Sequence, residues 1–349
     1  MPVHIQQAPF GTLPTGGQVS VFTLTNASGM TVKILDLGGI ITEIHVPDRN
    51  GTFADVALGF DTLAPYLGDS PYFGALIGRY GNRIARGRFT LDGQAYTLPV
   101  NNGKNHLHGG VPGFDRVQWQ ARIDNDELVL SYRSVDGEQG YPGTLDATVR
   151  YSLTDDNDIV VRFHATTDRA TPVNLTQHSY FNLAGGGSIL DHELLLDAGA
   201  FVPIDADLIP FGALAPVGGT PFDFVSGRRI GERIAEDDEQ LRHGGGYDHC
   251  FALNKPSGKA LTRAARVIDR HSGRVLELFT EEPGMQFYSG NFLDGSLTGK
   301  GQTYGHRSGF ALEPQHFPDS PNQPAFPNTI LRPGEVYETE SRFRFSVEQ

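Results

Sequence analysis

Histidine, hydroxyl, amide and phenol side chains come together in one short stretch, residues 174–187, NLTQHSYFNLAGGG. His178 stands near its centre, and an imidazole can take up or release a proton close to neutral pH. Its polar neighbours are Thr176, Gln177, Ser179 and Tyr180, with Asn174 and Asn182 outside them. Together these groups can hydrogen-bond several sides of one polar ligand. The interleaved apolar residues also fit an ordinary strand, in which His178 would be a hydrogen-bonded core residue.

Asn82 and Arg83 form a second candidate, within the glycine-rich residues 73–93, FGALIGRYGNRIARGRFTLDG. Amide and guanidinium groups can donate many hydrogen bonds to hydroxyl or carboxylate oxygens. The glycine spacing does not predict nucleotide binding. It is not part of a unit in which a strand is followed by GxGxxG and then a helix, and the sequence has no phosphate loop with Gly-Lys-Ser/Thr. The alternative is a basic hairpin with three further arginines, Arg79, Arg86 and Arg88.

His106 and His108 alternate within residues 105–114, NHLHGGVPGF. On a strand the two imidazoles would share a face, and such a pair can bind a metal ion. However, no carboxylate follows within six residues of His108, and the glycines and proline after it favour a turn. We therefore expect no metal site here, and a single exposed, hydrogen-bonding imidazole at His108.

Glu313 is the candidate carboxylate, predicted to end an apolar strand over residues 310–312, just before Pro314. At a strand end, partly screened by aromatic neighbours, a carboxylate can have a tuned pKa and act as a base. A surface glutamate at a strand exit is the plainer alternative. Asp248 in GGYDHCF and Gln286 in EPGMQFYSGNFL each stand among glycines and aromatics, as a sugar pocket would require.

Alternating apolar residues predict that the elements positioning these groups are strands. The clearest pair covers residues 147–153 and 159–166, with the turn sequence DDND between them. Similar strands are predicted over residues 127–133, 192–197, 274–280 and 336–347. A helix is predicted only for residues 229–242. No repeat or linker divides the chain, so we expect an all-β protein: one large antiparallel β-sandwich over residues 1–349, with few short helices.

Composition limits the functions that remain open. A net charge of -13 over 349 residues argues against nucleic acid or an anionic membrane as partner. The single cysteine, Cys250, excludes an internal disulfide framework and fits a reducing compartment. The N-terminal sequence MPVHIQQAPFGTLPTGG lacks the pattern of a secretion signal, and no apolar run approaches the ~18 residues of a membrane span. We therefore expect a cytoplasmic protein whose partner is a small molecule.

Six segments resemble, in order, those of the galactose mutarotase (aldose 1-epimerase) family. They are NRIARGRFTLDG, LHGG followed by GFD and a tryptophan, NLTQHSYFNL, YDHCF, PGMQFYSGNFLDG and LEPQHFPDSPNQPAFP. The resemblance covers nearly the whole chain. It implies a β-supersandwich, monomeric or homodimeric, and an enzyme without cofactor or metal. That enzyme would interconvert the α and β anomers of aldohexoses such as galactose and glucose.

The resemblance also implies roles for individual residues. Glu313 would be the general base, His178 the general acid on the opposite side of the sugar, and His108 a second imidazole near the ring oxygen. The implied hydroxyl-binding residues are Asn82, Arg83, Tyr180, Asp248 and Gln286. Variation within the family is expected at Gly81 and His316, which would then bear on sugar preference. Mutual attraction should lower the pKa of the carboxylate and raise that of the imidazole.

Three other functions remain open at this point. A carbohydrate-binding or sugar-sensing protein could use the same sandwich without catalysis. A glycoside hydrolase also needs an acid and a base, but usually two carboxylates. A hexose-phosphate anomerase would need a cationic phosphate pocket, for which the candidates are Arg79, Arg83 and Arg86.

Overall fold

Antiparallel strands make up most of the regular structure, as the alternation of apolar residues predicts. The structure, a computed structural model, describes residues 3–256 and 259–349. Nine of the described strands form the largest sheet, in the order Gln120–Asp124, Glu127–Ser134, Leu145–Leu153, Asp158–Thr167, Tyr337–Val347, Arg274–Thr280, Thr262–Ile268, Glu193–Leu196 and Arg228–Arg229. We call this the nine-stranded sheet.

Two further sheets complete the main architecture. The six-stranded sheet has the order Tyr180–Phe181, Phe310–Gln315, Gly284–Tyr288, Asp248–Ala252, Ala200–Phe201 and Ala215–Pro216. The five-stranded sheet follows the chain from the N-terminal side, with strands His4–Thr12, Gln18–Thr25, Thr31–Leu35, Ile41–Pro47 and Phe53–Asp55.

Short ribbons and helices connect these sheets. The two-stranded ribbons pair Ala75–Ile77 with Thr176–His178, Arg83–Ile84 with His106–Leu107, Arg88–Leu91 with Gln94–Thr97, Thr171–Pro172 with Ile330–Leu331, and Thr298–Gly299 with Gln302–Thr303. The α-helices are Leu63–Leu67 and Glu239–Gly244, and the 3-10 helices are Ala85–Gly87, Phe114–Arg116, Glu138–Gly140, Ile230–Glu232 and Ser320–Asn322. Among the described residues, no helix is long and apolar enough to cross a membrane.

The predicted strands are confirmed: the one that carries Glu313 belongs to the six-stranded sheet, and the six predicted from alternation belong to the nine-stranded sheet. The predicted hairpin of residues 147–153 and 159–166 is the pair Leu145–Leu153 and Asp158–Thr167, in which Val149 faces Phe163. These strands could be predicted because one face is buried and the other faces solvent, which gives a period of two.

The predicted helix over residues 229–242 is wrong for most of its length. Arg228–Arg229 is a strand at the edge of the nine-stranded sheet, and the α-helix is limited to Glu239–Gly244. Its boundaries follow from local chemistry: Oδ1 of Asp238 accepts hydrogen bonds from two backbone N–H groups of the first turn, and Gly245 ends the helix with a left-handed φ of 64°.

One hydrophobic core joins the three sheets. Val149 and Leu278 of the nine-stranded sheet, Phe287 and Leu312 of the six-stranded sheet, and Ile44 of the five-stranded sheet belong to the same buried cluster. Two layers of strands around a shared core are the arrangement of a β-sandwich.

We propose that residues 1–349 form a single folding unit. The only tryptophan of the sequence, Trp119, is buried in the shared core. Denaturation in urea should therefore show one midpoint, whether followed by Trp119 fluorescence or by the far-ultraviolet circular dichroism of the strands. Two separated midpoints would contradict the proposal.

Candidate active site

A cavity of about 200 Å³ lies against one face of the six-stranded sheet. All eight residues predicted from the sequence line it: Asn82, Arg83, His108, His178, Tyr180, Asp248, Gln286 and Glu313. The volume is below the roughly 300–1,000 Å³ of typical ligand pockets, which suits a small polar ligand. Six further residues complete the lining: Pro71, Tyr72, Asn102, Leu107, Tyr288 and Phe292.

The register of the six-stranded sheet explains why four of these residues share one face. Residues that face each other on antiparallel strands point to the same side, and so does every second residue along a strand. The facing pairs are Tyr180 with Ala311, Gln286 with Glu313, and Asp248 with Tyr288. The alternate residues of the same strands, among them Phe251, Phe287 and Leu312, belong to the core.

Glu313 lies within its strand, Phe310–Gln315, and not at the end of it as the sequence predicts. The strand continues through Pro314, which faces Met285. On the side away from Met285, the neighbouring strand Tyr180–Phe181 pairs only with Phe310 and Ala311. The missing N–H of Pro314 therefore interrupts no hydrogen-bond ladder on that side. Glu313 therefore belongs to the floor of the cavity and is 2% exposed.

His178 lies directly beside Glu313. Its Nε2 is 3.4 Å from Oε2 of Glu313, and its side chain is also buried. The ring of Tyr180 stacks on the imidazole at 5.2 Å between centroids. The expectation that the two groups would flank a ligand from opposite sides is therefore wrong, since they form one adjacent pair.

Burial sets the protonation of this pair. Burial raises the pKa of Glu313 well above its usual range; the nearby charge of Asp248 adds to this rise and Arg83 opposes it. Burial lowers the pKa of His178 to about 4. Both shifts are opposite to the predicted ones, because removal from water disfavours each charged form more than mutual attraction favours it. Between the lowered pKa of His178 and the raised pKa of Glu313, the pair therefore holds a single proton.

A tight turn and a short ribbon hold Asn82, Arg83 and His108. Asn82 has a left-handed φ of 65°, and its Oδ1 accepts a hydrogen bond from the backbone N–H of Arg83 at 2.8 Å. Arg83 faces Leu107 in the ribbon, and its Nε donates to Oδ1 of Asn102 at 3.0 Å. The guanidinium is thereby directed along the wall of the cavity.

His108 has a defined tautomer. The backbone N–H of Asn82 donates to Nδ1 of His108 at 3.1 Å, so Nδ1 carries no proton. Burial, together with the neighbouring His178 and Arg83, holds the pKa of His108 well below its usual range. The ring is therefore neutral near pH 7 and keeps its proton on Nε2, where it is a hydrogen-bond donor.

His106 and His108 do not share a face. His106 is buried away from the cavity, with Nδ1 2.7 Å from the carbonyl oxygen of Pro99 and Nε2 2.7 Å from the hydroxyl of Tyr141. The strand ends at Leu107 because His108 adopts a left-handed φ of 51°. Of these two imidazoles, His108 therefore lines the cavity and accepts a hydrogen bond as predicted, but it is buried and not exposed.

Among the described residues, His108, His178 and Glu313 form a set that could hold a metal ion, with ligand atoms within 4.8 Å of one another. Two histidines and one glutamate are a known zinc ligand set. The hydrogen bond from Asn82 opposes this use, because it leaves the proton of His108 on Nε2. As hydrogen-bonded here, these residues suit proton transfer better than coordination.

Asp248 and Gln286 form the polar side of the floor. Nε2 of Gln286 donates to Oδ1 of Asp248 at 2.8 Å, and burial raises the pKa of Asp248. Oε1 of Gln286 and Oε2 of Glu313 are buried and have no hydrogen-bond partner among the described residues. Buried polar atoms are normally satisfied, so these two acceptors are available to a ligand.

The sequence prediction missed the aromatic residues around the cavity. The ring of Tyr72 lies 4.7 Å from that of His108 and 5.8 Å from that of His178. Tyr288 faces Asp248, and its hydroxyl accepts the backbone N–H of Phe292 at 2.8 Å. Phe292 is 66% exposed, at the mouth. Tyr288 and Phe292 stand in the sequence segment selected for Gln286, whereas Tyr72 lies ten residues before Asn82 and carries no such signal.

Two predictions need correction: that Arg79 contributes to a phosphate pocket, and that Gly81 and His316 bear on sugar preference at the site. Arg79 is buried, and its guanidinium donates to the carbonyl oxygens of Pro142 and Gly143, so it cannot form a phosphate pocket at the cavity. Gly81 does not line the cavity. His316 lines a different cavity of about 530 Å³, to which none of the eight predicted site residues belongs.

Known proteins resemble this chain over nearly its full length. A family model described as aldose 1-epimerase matches residues 20–344. The chain belongs to the aldose 1-epimerase family. Among its relatives, the galactose mutarotase of Bos taurus is 49% identical in an alignment 349 residues long that covers 99% of each chain. The aldose 1-epimerase of Escherichia coli K12 is 42% identical over 340 residues, or 96% of this chain and 97% of that one.

Solved structures show the same fold. An aldose epimerase homologue from C. elegans superimposes with a TM-score of 0.88 at 31% identity, covering 95% of this chain and all of that one. Galactose 1-epimerase from Lactobacillus acidophilus gives a TM-score of 0.87 at 26% identity, covering 99% of this chain and 100% of that one. The predicted all-β supersandwich of the aldose 1-epimerases is thus confirmed.

The raised pKa of Glu313 predicts a pH-dependent stability change. The protonated carboxyl contributes stability that is present below its usual pKa and lost as the pH rises through the raised one. Glutamine cannot ionise, so Glu313→Gln should raise the melting temperature relative to wild type, and by more at about pH 8 than at about pH 5. Thermal denaturation at both pH values measures this.

Glu282 is the matched control, because it is as buried as Glu313 but its pKa is lowered and not raised. Burial would raise its pKa, but Nδ1 of His316 at 2.6 Å and other partners outweigh burial and lower it. This carboxylate contributes stability above its usual pKa that is lost as the pH falls, so Glu282→Gln should lower the melting temperature near neutral pH. Stabilisation by both substitutions, or by neither, would contradict the assignment.

Proposed function

We propose that this protein is an aldose 1-epimerase that interconverts the α and β anomers of aldohexoses. The observation that carries the proposal is the buried pair of Glu313 and His178, 3.4 Å apart, in a cavity lined by side chains that can hydrogen-bond hydroxyl groups. The mammalian relatives are named galactose mutarotases, which makes galactose the first substrate to test. A cytoplasmic location belongs to the proposal and agrees with the single buried cysteine, Cys250.

Adjacent acid and base groups fit the chemistry of a hemiacetal. The C1 hydroxyl oxygen and the ring oxygen O5 are bonded to the same carbon, so the two catalytic groups must reach neighbouring atoms. In the proposed reaction, the carboxylate of Glu313 removes the proton of the C1 hydroxyl and the C1–O5 bond breaks. The imidazolium of His178 delivers its proton to O5, which gives the open aldehyde. Rotation about C1–C2 and the reverse steps produce the other anomer.

The single proton of the pair is conserved through these steps. The reactive arrangement has Glu313 ionised and His178 protonated, and the ligand-free pair reaches it by moving its single proton from Glu313 to His178. After ring opening, Glu313 is protonated and His178 neutral. Burial favours the second, uncharged arrangement, as the directions of both pKa shifts indicate. The cavity thus stabilises the state that accompanies the open sugar. Each proton transfer of this kind typically contributes ~10²–10⁴ in rate.

The other residues of the cavity are proposed to hold the sugar. His108 would donate its Nε2–H to a ring or hydroxyl oxygen, because its Nδ1 already accepts the backbone N–H of Asn82. The proposed hydroxyl-binding residues are Asn82, Arg83, Tyr180, Asp248 and Gln286. Holding the open chain near its reactive geometry favours reclosure before escape.

Two alternatives differ in measurable ways. A sugar-binding protein without catalysis would bind galactose but leave its anomers at the buffer rate. A hexose-phosphate anomerase is less well supported, since of its three candidate arginines only Arg83 lines the cavity and Arg79 is bonded to backbone carbonyls.

Polarimetry of freshly dissolved α-aldoses tests the proposal directly. Wild-type protein should accelerate mutarotation of galactose or another aldohexose above the buffer rate. Glu313→Gln keeps shape but cannot accept a proton, so it should lower kcat by ~10²–10⁴ with little change in KM. Glu282→Gln, a buried glutamate outside the cavity, should retain wild-type turnover. No acceleration of any sugar would remove the enzyme proposal in favour of sugar binding alone.

The pH dependence of kcat/KM should follow the proton count of the pair, since this ratio reports the free enzyme. Activity should fall near pH 4, where a second proton is added to the pair, because burial lowers the pKa of His178 to about 4. Activity should fall again as the pH rises through the raised pKa of Glu313, where the last proton leaves. In His178→Asn the remaining activity should instead rise as the pH passes the raised pKa of Glu313, because the base is then ionised, and it should stay level above that pH. A basic limb that persists in His178→Asn would contradict the acid role.

Removal of metal ions should have no effect on the proposed reaction. Dialysis against a strong chelator is expected to leave kcat and the melting temperature unchanged, because Nε2 of His108 keeps its proton. Activity that is lost on dialysis and returns specifically with zinc would identify His108, His178 and Glu313 as ligands instead.

A further inference from the structure

Asn174 is fully buried and does not line the cavity, yet its amide is completely engaged. Nδ2 donates to the carbonyl oxygens of Gly81 at 3.0 Å and His316 at 3.4 Å, and Oδ1 accepts the backbone N–H of His316 at 2.9 Å. Its main chain donates to the carbonyl oxygen of Arg79 at 3.1 Å and accepts the N–H of Gly81 at 2.6 Å. Asn174 therefore joins two segments that are distant in sequence.

The first of these segments leads to the imidazole donor of the cavity. Gly81 immediately precedes Asn82, whose backbone N–H determines the tautomer of His108. A β-carbon on Gly81 would lie 3.2 Å from the carbonyl oxygen of Asn174, so the two backbones are in close contact. A change in the amide of Asn174 is thus transmitted directly to the peptide that contacts His108.

The other segments carry the acid and base. His316 follows Glu313 by three residues, and Asn174 precedes His178 by four. The amide bonds both the N–H and the C=O of His316, as a neighbouring strand would. A side chain with a donor and an acceptor is required for this, and an asparagine provides both.

We propose that Asn174 is a positioning residue for the reaction: it holds the turn that orients His108 in register with the strands that carry Glu313 and His178. This inference rests on the proposed aldose 1-epimerase function. A purely structural asparagine would satisfy the same buried backbone groups, but its loss would lower stability alone. The two roles are distinguished by turnover and by the tautomer of His108.

The kinetic test compares Asn174→Ala with Asn174→Asp. The aspartate keeps an oxygen that can accept the N–H of His316, but it places a second oxygen, in place of the donor Nδ2, against the carbonyl oxygens of Gly81 and His316. Both should lower kcat roughly 10- to 100-fold with a smaller change in KM. The matched control is Asn182→Ala. Asn182 is equally buried and bonds the carbonyl oxygens of Gly187 and Ser308, which lie outside the cavity. It should lose stability and keep its kcat.

Nitrogen-15 NMR of the imidazoles provides a readout that stability loss does not change. In wild type, Nδ1 of His108 should be unprotonated and Nε2 protonated. In Asn174→Ala and Asn174→Asp the two signals should move toward each other as the N–H of Asn82 is displaced. Asn182→Ala should keep the wild-type pattern.

Each outcome decides the proposal. An unchanged kcat and an unchanged His108 pattern in the folded variants would overturn it, and so would failure of both variants to fold, which would make Asn174 a structural residue. If the wild type has no epimerase activity, the proposed function fails, but the NMR comparison still tests whether Asn174 orients His108.

Discussion

The carboxyl group of Glu313 and the imidazole of His178 are held against each other with almost no contact with water. An isolated buried charge is strongly unfavourable, so such a pair is stable only if it stays close to electrical neutrality or has compensating neighbours. Because burial raises the pKa of Glu313 and lowers that of His178, the two side chains share a single proton. The rest of the site is organised around that requirement: Arg83 supplies a positive charge along the wall, and the amides of the floor supply dipoles.

The six-stranded sheet satisfies this requirement by keeping its two faces chemically distinct. One face contributes Phe251, Phe287 and Leu312 to the common core, and the other contributes the floor of the cavity. The nine-stranded sheet packs over the same core and contributes none of the residues that line the cavity. Stability and chemistry are therefore carried by different residues of the same strands.

Much of the fold could be predicted from the sequence, because strands such as Leu145–Leu153 have one buried and one solvated face and so alternate clearly. The types of the site residues were also informative, since all eight line one cavity. The pKa directions were predicted with the wrong sign, because desolvation depends on residues that are distant in sequence. The tautomer of His108 was equally hidden, since it depends on a backbone N–H at Asn82 that no side-chain pattern reports.

The alternation of the six-stranded sheet also ties the site to its register. If the strand Phe310–Gln315 slipped by one residue against Gly284–Tyr288, Glu313 would point into the hydrocarbon interior and Leu312 into the cavity. A chain in that state would lose its core packing and its chemistry at once. Any substitution that keeps this core packed therefore also keeps Glu313 aligned with the cavity.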